Sequence, residues 1–472
     1  MRKTKIICTL GPACSNEETI RQLLKAGMNI ARINFSHGDH KYHSKNIDMF
    51  RKIRDELELP AAVMLDTKGP EIRLKDFENG SVKINEGDIF TLTSNDILGN
   101  EKIVSITYKD LPSQITIGTT LLIDDGRISL EAIDVTNTDI KCKVIQGGTI
   151  SNHKGLNVPR IHLEMPYLSE QDKKDILLGI EKDVDFVAAS FVRRKEDVQS
   201  LRKFIDYNGG HSIKIISKIE NIEGIENFDE ILDNSDGIML ARGDLGVEVA
   251  YEKLPGIQKK FIKSCYRQGK MVITATQMLD SMINNPNPTR AEITDVANAV
   301  FDGTSAVMLS GESAVGKFPV RSVKVMAKIA EQAEKDAFDM GIYTHIRYDM
   351  DETDTTNAMC DAACTTARDI NAKCIIAVTI SGNTARGMSK FRPYEPIVAA
   401  TPSNKTFHQL SLSWGVYPVL ARLQKKSDEL FIHSIDCAKQ IDLVEKGDRV
   451  VITGGIPLDL SGNTNTIRVA IV

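Results

Sequence analysis

The sequence predicts an α/β protein: a (β/α)8 barrel interrupted after its third strand by a small all-β barrel, followed by an open α/β domain. Three observations lead there. Eight short, strand-like apolar runs alternate with segments of helical periodicity up to residue 338. Between the third and fourth runs, over residues 71–166, the texture changes to Val, Ile, Thr and Gly in short alternating strands. After the polar stretch 348–357, which reads as a linker, five more strand-like runs are separated by helical segments. The expected domains are a barrel of residues 1–70 and 168–345, an inserted lid of 71–167, and a C-terminal domain of 346–472.

In order, the first three runs end at Leu10, Asn34 and Asp66, with helical patterning over 17–26 and 43–57 between them. In the insertion, Asp125-Gly126 marks a hairpin turn. Helical patterning resumes at Ser169, an N-cap with Glu170 and Asp172 in the first turn. Strands follow at 186–190, 213–218, 237–241, 271–274 and 305–309, and a helix over 320–338 closes the barrel. The last domain takes its strands from 374–379, 397–400, 416–419, 449–453 and 467–471, as a largely parallel sheet.

A length of 472 residues exceeds one compact core. Hydrophobic content of 42% and charged content of 26% are those of an ordinary globular protein, and a formal charge of −5 with dispersed Lys and Arg argues against a nucleic-acid partner. No stretch approaches a membrane span and residues 1–12 lack the apolar region of a leader, so a cytoplasmic protein is expected. Eight scattered cysteines without a C-x-x-C pair make a disulfide framework or structural zinc site unlikely; Cys360 and Cys364 read as buried small side chains.

The chemistry concentrates at the barrel's strand ends, which form an active-site floor in such barrels. They supply Arg32, Asn34, Ser36, Asp66, Lys218, Glu220, Asp244 and Thr276. Two successive strands each deliver a carboxylate, so Lys218, Glu220 and Asp244 are expected to converge. A cation between two carboxylates suits a hard metal and an anionic substrate, and oxygen ligands without histidine suit neither zinc nor imidazole chemistry. His37, His40 and His43 only partly share a helix face and are read as solvated. Gly311 to Lys317 has the spacing of a phosphate-binding loop, but Phe318 stands where a hydroxyl is needed.

Residues 217–231, SKIENIEGIENFDEI, followed by IMLARGDLGVE at 238–248, closely resemble the signature of the pyruvate kinase family. The likeness extends through ARINFSHG (31–38), LDTKGPEIR (65–73), TATQMLDSM (274–282) and MLSGESAVGKFP (308–319), nearly the whole chain. The resemblance implies transfer of the phosphoryl group of phosphoenolpyruvate to ADP, giving pyruvate and ATP, the last step of glycolysis. It implies Glu220 and Asp244 as ligands of Mg2+ (or Mn2+), and Gly243, Asp244 and Thr276 around the substrate carboxylate. Arg32 and Lys218 would bracket the phosphoryl group, Thr276 or a water beside it would supply the proton donor, and Arg73 and Lys154 would contact the nucleotide. Asn34, Ser36, Asp66 and the Thr67 carbonyl match potassium ligands, and Glu71 is the residue that accompanies potassium dependence. Ser381, Gly382, Asn383 and Thr384 resemble an effector phosphate loop, with residues 461–464 closing over it. Ile380 stands where some members have lysine, so a phosphorylated allosteric effector with one phosphate is expected. A homotetramer is the default, and the extra phosphohistidine-like domain of some bacterial members is not expected. Arg160 and Tyr167 replace residues usually glycine, which puts lid-hinge freedom in question. Rival readings are a metal-dependent aldolase, which has no use for Arg32 and Lys218 around a phosphoryl group, and a non-catalytic binder.

Overall fold

The computed structural model describes residues 1–159, 161–343, 354–457 and 464–472. Eight parallel strands close the barrel: β1 Lys5–Thr9, β2 Ile30–Asn34, β3 Ala62–Asp66, β4 Phe186–Ala189, β5 Lys214–Ile219, β6 Gly237–Ala241, β7 Met271–Ala275 and β8 Ala306–Leu309. β1 pairs with β2 on one side and β8 on the other. Every residue of β1, β3, β4, β6, β7 and β8 is buried, because the barrel interior covers one face and the helices the other. Ile7, Met64, Phe186, Ile216, Met239 and Ile273 fill the interior as a packed core.

The connecting helices end where their sequences dictate. Asn16 accepts from the Thr19 N–H at the start of Glu17–Ala26, and Gly27 stops that helix at φ +113°. Ser169 and Asp172 form a capping box. Helical patterning over 222–232 resolves into two short helices, Ile222–Glu226 and Phe228–Asn234, that share Asn227 as a break. The second helix begins at His40 rather than His43, because the Asp39 carboxylate accepts from the Tyr42 N–H. His40 pairs with Asp175 at 2.6 Å while its side chain stays 43% exposed, whereas His43 lies buried against Phe35 instead of facing solvent.

Between β3 and the Glu170–Glu181 helix lies a seven-stranded sheet and a two-stranded one. A bridge between Leu74 and Ile106 joins the seven-stranded sheet's two edges, so the insertion closes on itself as a small barrel. The Asp125-Gly126 hairpin forms as expected, with Ile123 opposite Ile128.

The C-terminal sheet has strands β9 Cys374–Val378, β10 Ile397–Thr401, β11 Val416–Leu420, β12 Arg449–Gly454 and β13 Thr466–Ile471. Its order is β11-β10-β9-β12-β13, with only β13 antiparallel. Most of the expected linker 348–357 lies outside the described residues. Its end is helical, since Asp354 accepts from the Asn357 N–H and the helix Thr355–Asp369 starts there. The N-terminal segment ties this domain to the barrel: the Gly415 N–H donates to the Lys3 carbonyl at 3.0 Å and Lys5 Nζ to the Val416 carbonyl at 2.6 Å.

Candidate active site

β2, β3, β4 and β5 end side by side, and that adjacency brings residues far apart in sequence within hydrogen-bonding reach. The Lys218 ammonium sits 3.0 Å from Asp66 Oδ1, 3.1 Å from Glu220 Oε1 and 2.7 Å from Ser190 Oγ. Arg32 Nε donates to the other Asp66 oxygen at 2.5 Å, while its Nη1 donates to Thr9 Oγ1 at 2.9 Å. Asp66 is thus a shared counter-ion for both cations that the family resemblance places at the phosphoryl group.

Burial disfavours the Lys218 ammonium, yet Asp66 and Glu220 outweigh it and hold the amine above its ordinary value. Burial likewise opposes the Asp66 carboxylate, but Arg32 and Lys218 keep it below its ordinary value. Glu220 goes the other way. Burial pushes it up to about 7, Lys218 pulls against that, and Asp244 and Asp66 add repulsion. Asp244 is raised by burial too, with Lys218 opposing and the lid carboxylates of Asp125 and Glu71 adding to the rise. Glu220 Oε2 accepts the N–H of Phe191, which adopts φ +53° to aim it, at 2.7 Å.

Lys218, Glu220 and Asp244 therefore share one electrostatic site, as their strand-end positions suggest. Three carboxylates (Asp66, Glu220, Asp244) face two cations (Arg32, Lys218), a local sum of −1. Among the described residues no group of three His, Cys, Asp or Glu is arranged to hold a metal alone. Two carboxylates raised by burial and by neighbouring carboxylates still fit Mg2+, which binds through one or two carboxylates and completes its shell with water and substrate oxygens.

Gly243 and Asp244 lie in the first turn of the helix Arg242–Glu248, which follows β6 directly. The Gly243 N–H donates to Thr276 Oγ1 at 2.9 Å, and that hydroxyl donates to the Ala275 carbonyl at 2.6 Å. Asn34 Oδ1 accepts the Ser36 N–H at 3.1 Å, and the Thr67 carbonyl accepts from Ser190 Oγ at 2.7 Å. These four expected potassium residues present only oxygen donors, which a monovalent hard cation accepts. Arg73 lies on a lid strand and pairs with Glu71 at 2.7 Å, while Lys154, immediately before the neighbouring strand, pairs with Asp124 at 2.6 Å.

Ser190 was not singled out from sequence, although it stands at a strand end like the others. It touches Lys218, Asp66 and Thr67, and a side chain at Gly69 (φ +74°) would meet it at 2.9 Å. Tyr167, expected to bear on the hinge, is buried and donates to the Ser190 carbonyl at 3.1 Å; Arg160 lies outside the described residues. The Gly311 to Lys317 segment opens as a short helix, Gly311–Ala314, whose Glu312 accepts two backbone N–H groups, so it is no phosphate loop. In the C-terminal domain, Ser381, Asn383 and Thr384 line a cavity of about 330 Å3. Thr384 and Thr464 meet there at 2.8 Å; Ser461, Gly462 and Asn463 lie outside the described residues.

Fold and site together define a (β/α)8 barrel protein whose adjoining strand ends gather paired cations and carboxylates. Comparison with known proteins agrees. The description "Pyruvate kinase, barrel domain" matches residues 1–323 and "Pyruvate kinase, alpha/beta domain" residues 357–470. The chain belongs to the pyruvate kinase family. It is 46% identical over 473 residues to the pyruvate kinase of Clostridium acetobutylicum, covering 100% of both chains. It is 45% identical to that of Staphylococcus haemolyticus, covering 100% of this chain and 81% of that one. A crystal structure of a pyruvate kinase from Cryptosporidium parvum superimposes with a TM-score of 0.91 at 40% identity, covering 100% of this chain and 96% of that chain.

Proposed function

We infer that this chain is a phosphotransferase that moves the phosphoryl group of phosphoenolpyruvate to ADP, giving pyruvate and ATP. The observation that carries the reading is the buried Lys218 ammonium, bound to Asp66 and Glu220 beside Arg32 at adjoining strand ends. A loose phosphoryl transition state needs fixed positive charge around its equatorial oxygens and in-line alignment more than it needs a nucleophile. Arg32 and Lys218 supply that charge and bracket the phosphoryl group. The bond from phosphorus to the enol oxygen breaks as one to the terminal oxygen of ADP forms, and the enolate then takes a proton at its methylene carbon. Thr276, or a water held beside it, delivers that proton, and the Gly243 N–H, Asp244 and Thr276 hold the carboxylate end. Arg73 and Lys154 reach the nucleotide phosphates from the lid.

Glu220 and Asp244 would hold Mg2+ or Mn2+, which supplies positive charge to the phosphate and enolate oxygens when bound. Asn34, Ser36, Asp66 and the Thr67 carbonyl would hold K+, with Glu71 as the nearby carboxylate. The loop of Ser381, Gly382, Asn383 and Thr384 binds a phosphorylated allosteric effector. The outer edge of β13, where Val469 and Ile471 are exposed, offers a strand for pairing between subunits of a homotetramer. No helix among the described residues is long and apolar enough to cross a membrane, in keeping with a cytoplasmic glycolytic enzyme.

The test is an assay coupling pyruvate formation to lactate dehydrogenase, with phosphoenolpyruvate, ADP, Mg2+ and K+. ADP-dependent oxidation of the reporter is expected. Its absence, or turnover of pyruvate with an aldehyde instead, would favour the aldolase reading.

A further inference from the structure

At the end of β7 the chain takes two consecutive non-glycine residues into the left-handed region, Thr276 at φ +66° and Gln277 at φ +54°. L-residues visit that region singly and reluctantly, so two in a row persist only where surrounding contacts over-determine the backbone. Those contacts are present on both sides. Arg242 Nε donates to the Ala275 carbonyl at 3.2 Å and its Nη2 to the Thr276 carbonyl at 2.8 Å. The same guanidinium is itself gripped bidentately by Asp295, each oxygen at 2.7 Å. Farther along the turn, the buried Glu312 carboxylate accepts the Leu279 N–H at 3.0 Å. A cation thus holds the turn's carbonyls and an anion its amide.

We propose that Asp295, acting through Arg242, is a positioning residue that sets the direction of the Thr276 hydroxyl for proton delivery. Arg242 spends its donors on two carbonyls, Asp295 and the Gln258 amide oxygen, with nothing left over for a substrate. Arg242 also immediately precedes Gly243, whose N–H donates to Thr276 Oγ1, so one residue fixes the turn that carries the hydroxyl and begins the helix whose N–H holds it. Loss of the Asp295 grip frees the guanidinium to follow solvent, and the strained turn relaxes toward ordinary dihedrals.

The proposal rests on Thr276 serving the protonation step, and a double-mutant cycle separates the two. Asp295→Asn should lower kcat about tenfold to a hundredfold, the penalty of misplacing a reacting group by an ångström or so. The Michaelis constant for ADP should stay unchanged, and exchange of pyruvate methyl protons with solvent should slow by the same factor as kcat. In a Thr276→Ala background, Asp295→Asn should have no further effect on either rate. Additive losses in that cycle would overturn the proposal. Equal losses in the phosphoryl-transfer and ADP-binding parameters would overturn it too. If Thr276→Ala leaves proton exchange intact, the role of Thr276 itself fails, and the proposal fails with it. A parent enzyme without ADP-dependent turnover would instead sink the proposed function. If Asp295→Asn does not fold, Arg242→Lys, which keeps the charge but loses the bidentate fork, is put through the same cycle with the same criteria.

Discussion

Replacing Lys218 by Met removes the cation at the centre of the site while keeping a side chain of similar length. In the parent, its ammonium lies 3.0 Å from Asp66 and 3.1 Å from Glu220, with both carboxylates 1% exposed. The local sum of three carboxylates and two cations moves from −1 to −2. Removing one partner of a buried pair costs about 3–5 kcal/mol when the other stays charged. The loss in stability should fall short of that range, because Glu220, already up at about 7, gains a still higher affinity for a proton and neutralises itself. The kinetic effect is larger in ratio. Deleting one preorganised donor aimed at developing charge typically lowers kcat by about 10²–10³. Arg32 remains to hold the ground-state phosphate, so the Michaelis constant for phosphoenolpyruvate should change by less than about tenfold, or ~1.4 kcal/mol. The coupled assay gives both parameters, and urea unfolding gives the stability. A variant with unchanged kcat and a raised Michaelis constant would refute the transition-state role of Lys218.

Three other outcomes follow from the site. Folded Glu220 keeps a proton that the unfolded chain, at the ordinary 4.5, releases, so its stabilising contribution is complete below pH 4.5 and gone above about 7. With chelator present, the melting temperature of the parent relative to Glu220→Gln should therefore fall across that interval, and saturating Mg2+ should flatten the trend; a rise would contradict the burial argument. Activity should require K+, and Glu71→Lys should relieve the requirement by placing an ammonium where the ion sits. Full parent activity in buffer free of sodium and potassium, with tetramethylammonium as counter-ion, would dispose of this. In the C-terminal domain, Arg422 is the one cation among the described residues lining the cavity, which suits one phosphate. A sugar or nucleoside monophosphate should activate, and replacing Ser381 and Thr384 together by Ala should abolish activation with the unactivated rate intact. An undiminished response in the double variant would place the effector elsewhere.

Most of the site was legible because a parallel barrel turns strand ends into a list of site residues. Lys218 and Glu220 fall where an apolar run gives way to helical spacing, and the structure ends β5 at Ile219, between them. Asp244 stands just past the point where the apolar run of β6 stops. Ser190 obeys the rule equally but carries no charge and forms no pattern. Its importance comes from pairing with Asp66 across β3 and β4, a contact no spacing encodes. The Arg242–Asp295 pair is hidden for a similar reason, since 53 residues separate its partners and neither belongs to the expected substrate set. Local rules also failed at Asp39 and Asp354, whose side chains extend helices beyond their apolar periodicity.

Asp66 links these readings. One carboxylate holds Arg32 through Oδ2 and Lys218 through Oδ1, so without substrate the two cations proposed to bracket the phosphoryl group are already desolvated, oriented and partly neutralised. A bound phosphoryl group therefore meets side chains whose rotamers are fixed, and the reorganisation that weakens charge stabilisation in water is largely absent. The same arrangement limits ground-state attraction, because each cation is shared with Asp66 before the substrate arrives. In the proposed reaction, charge that grows on the enolate and phosphoryl oxygens during transfer would gain more from these cations than the ground state does. Such a site favours the transition state over the bound substrate, the condition under which binding energy raises turnover. Asp66 is thus better understood as the residue that tunes two cations than as a cation ligand alone.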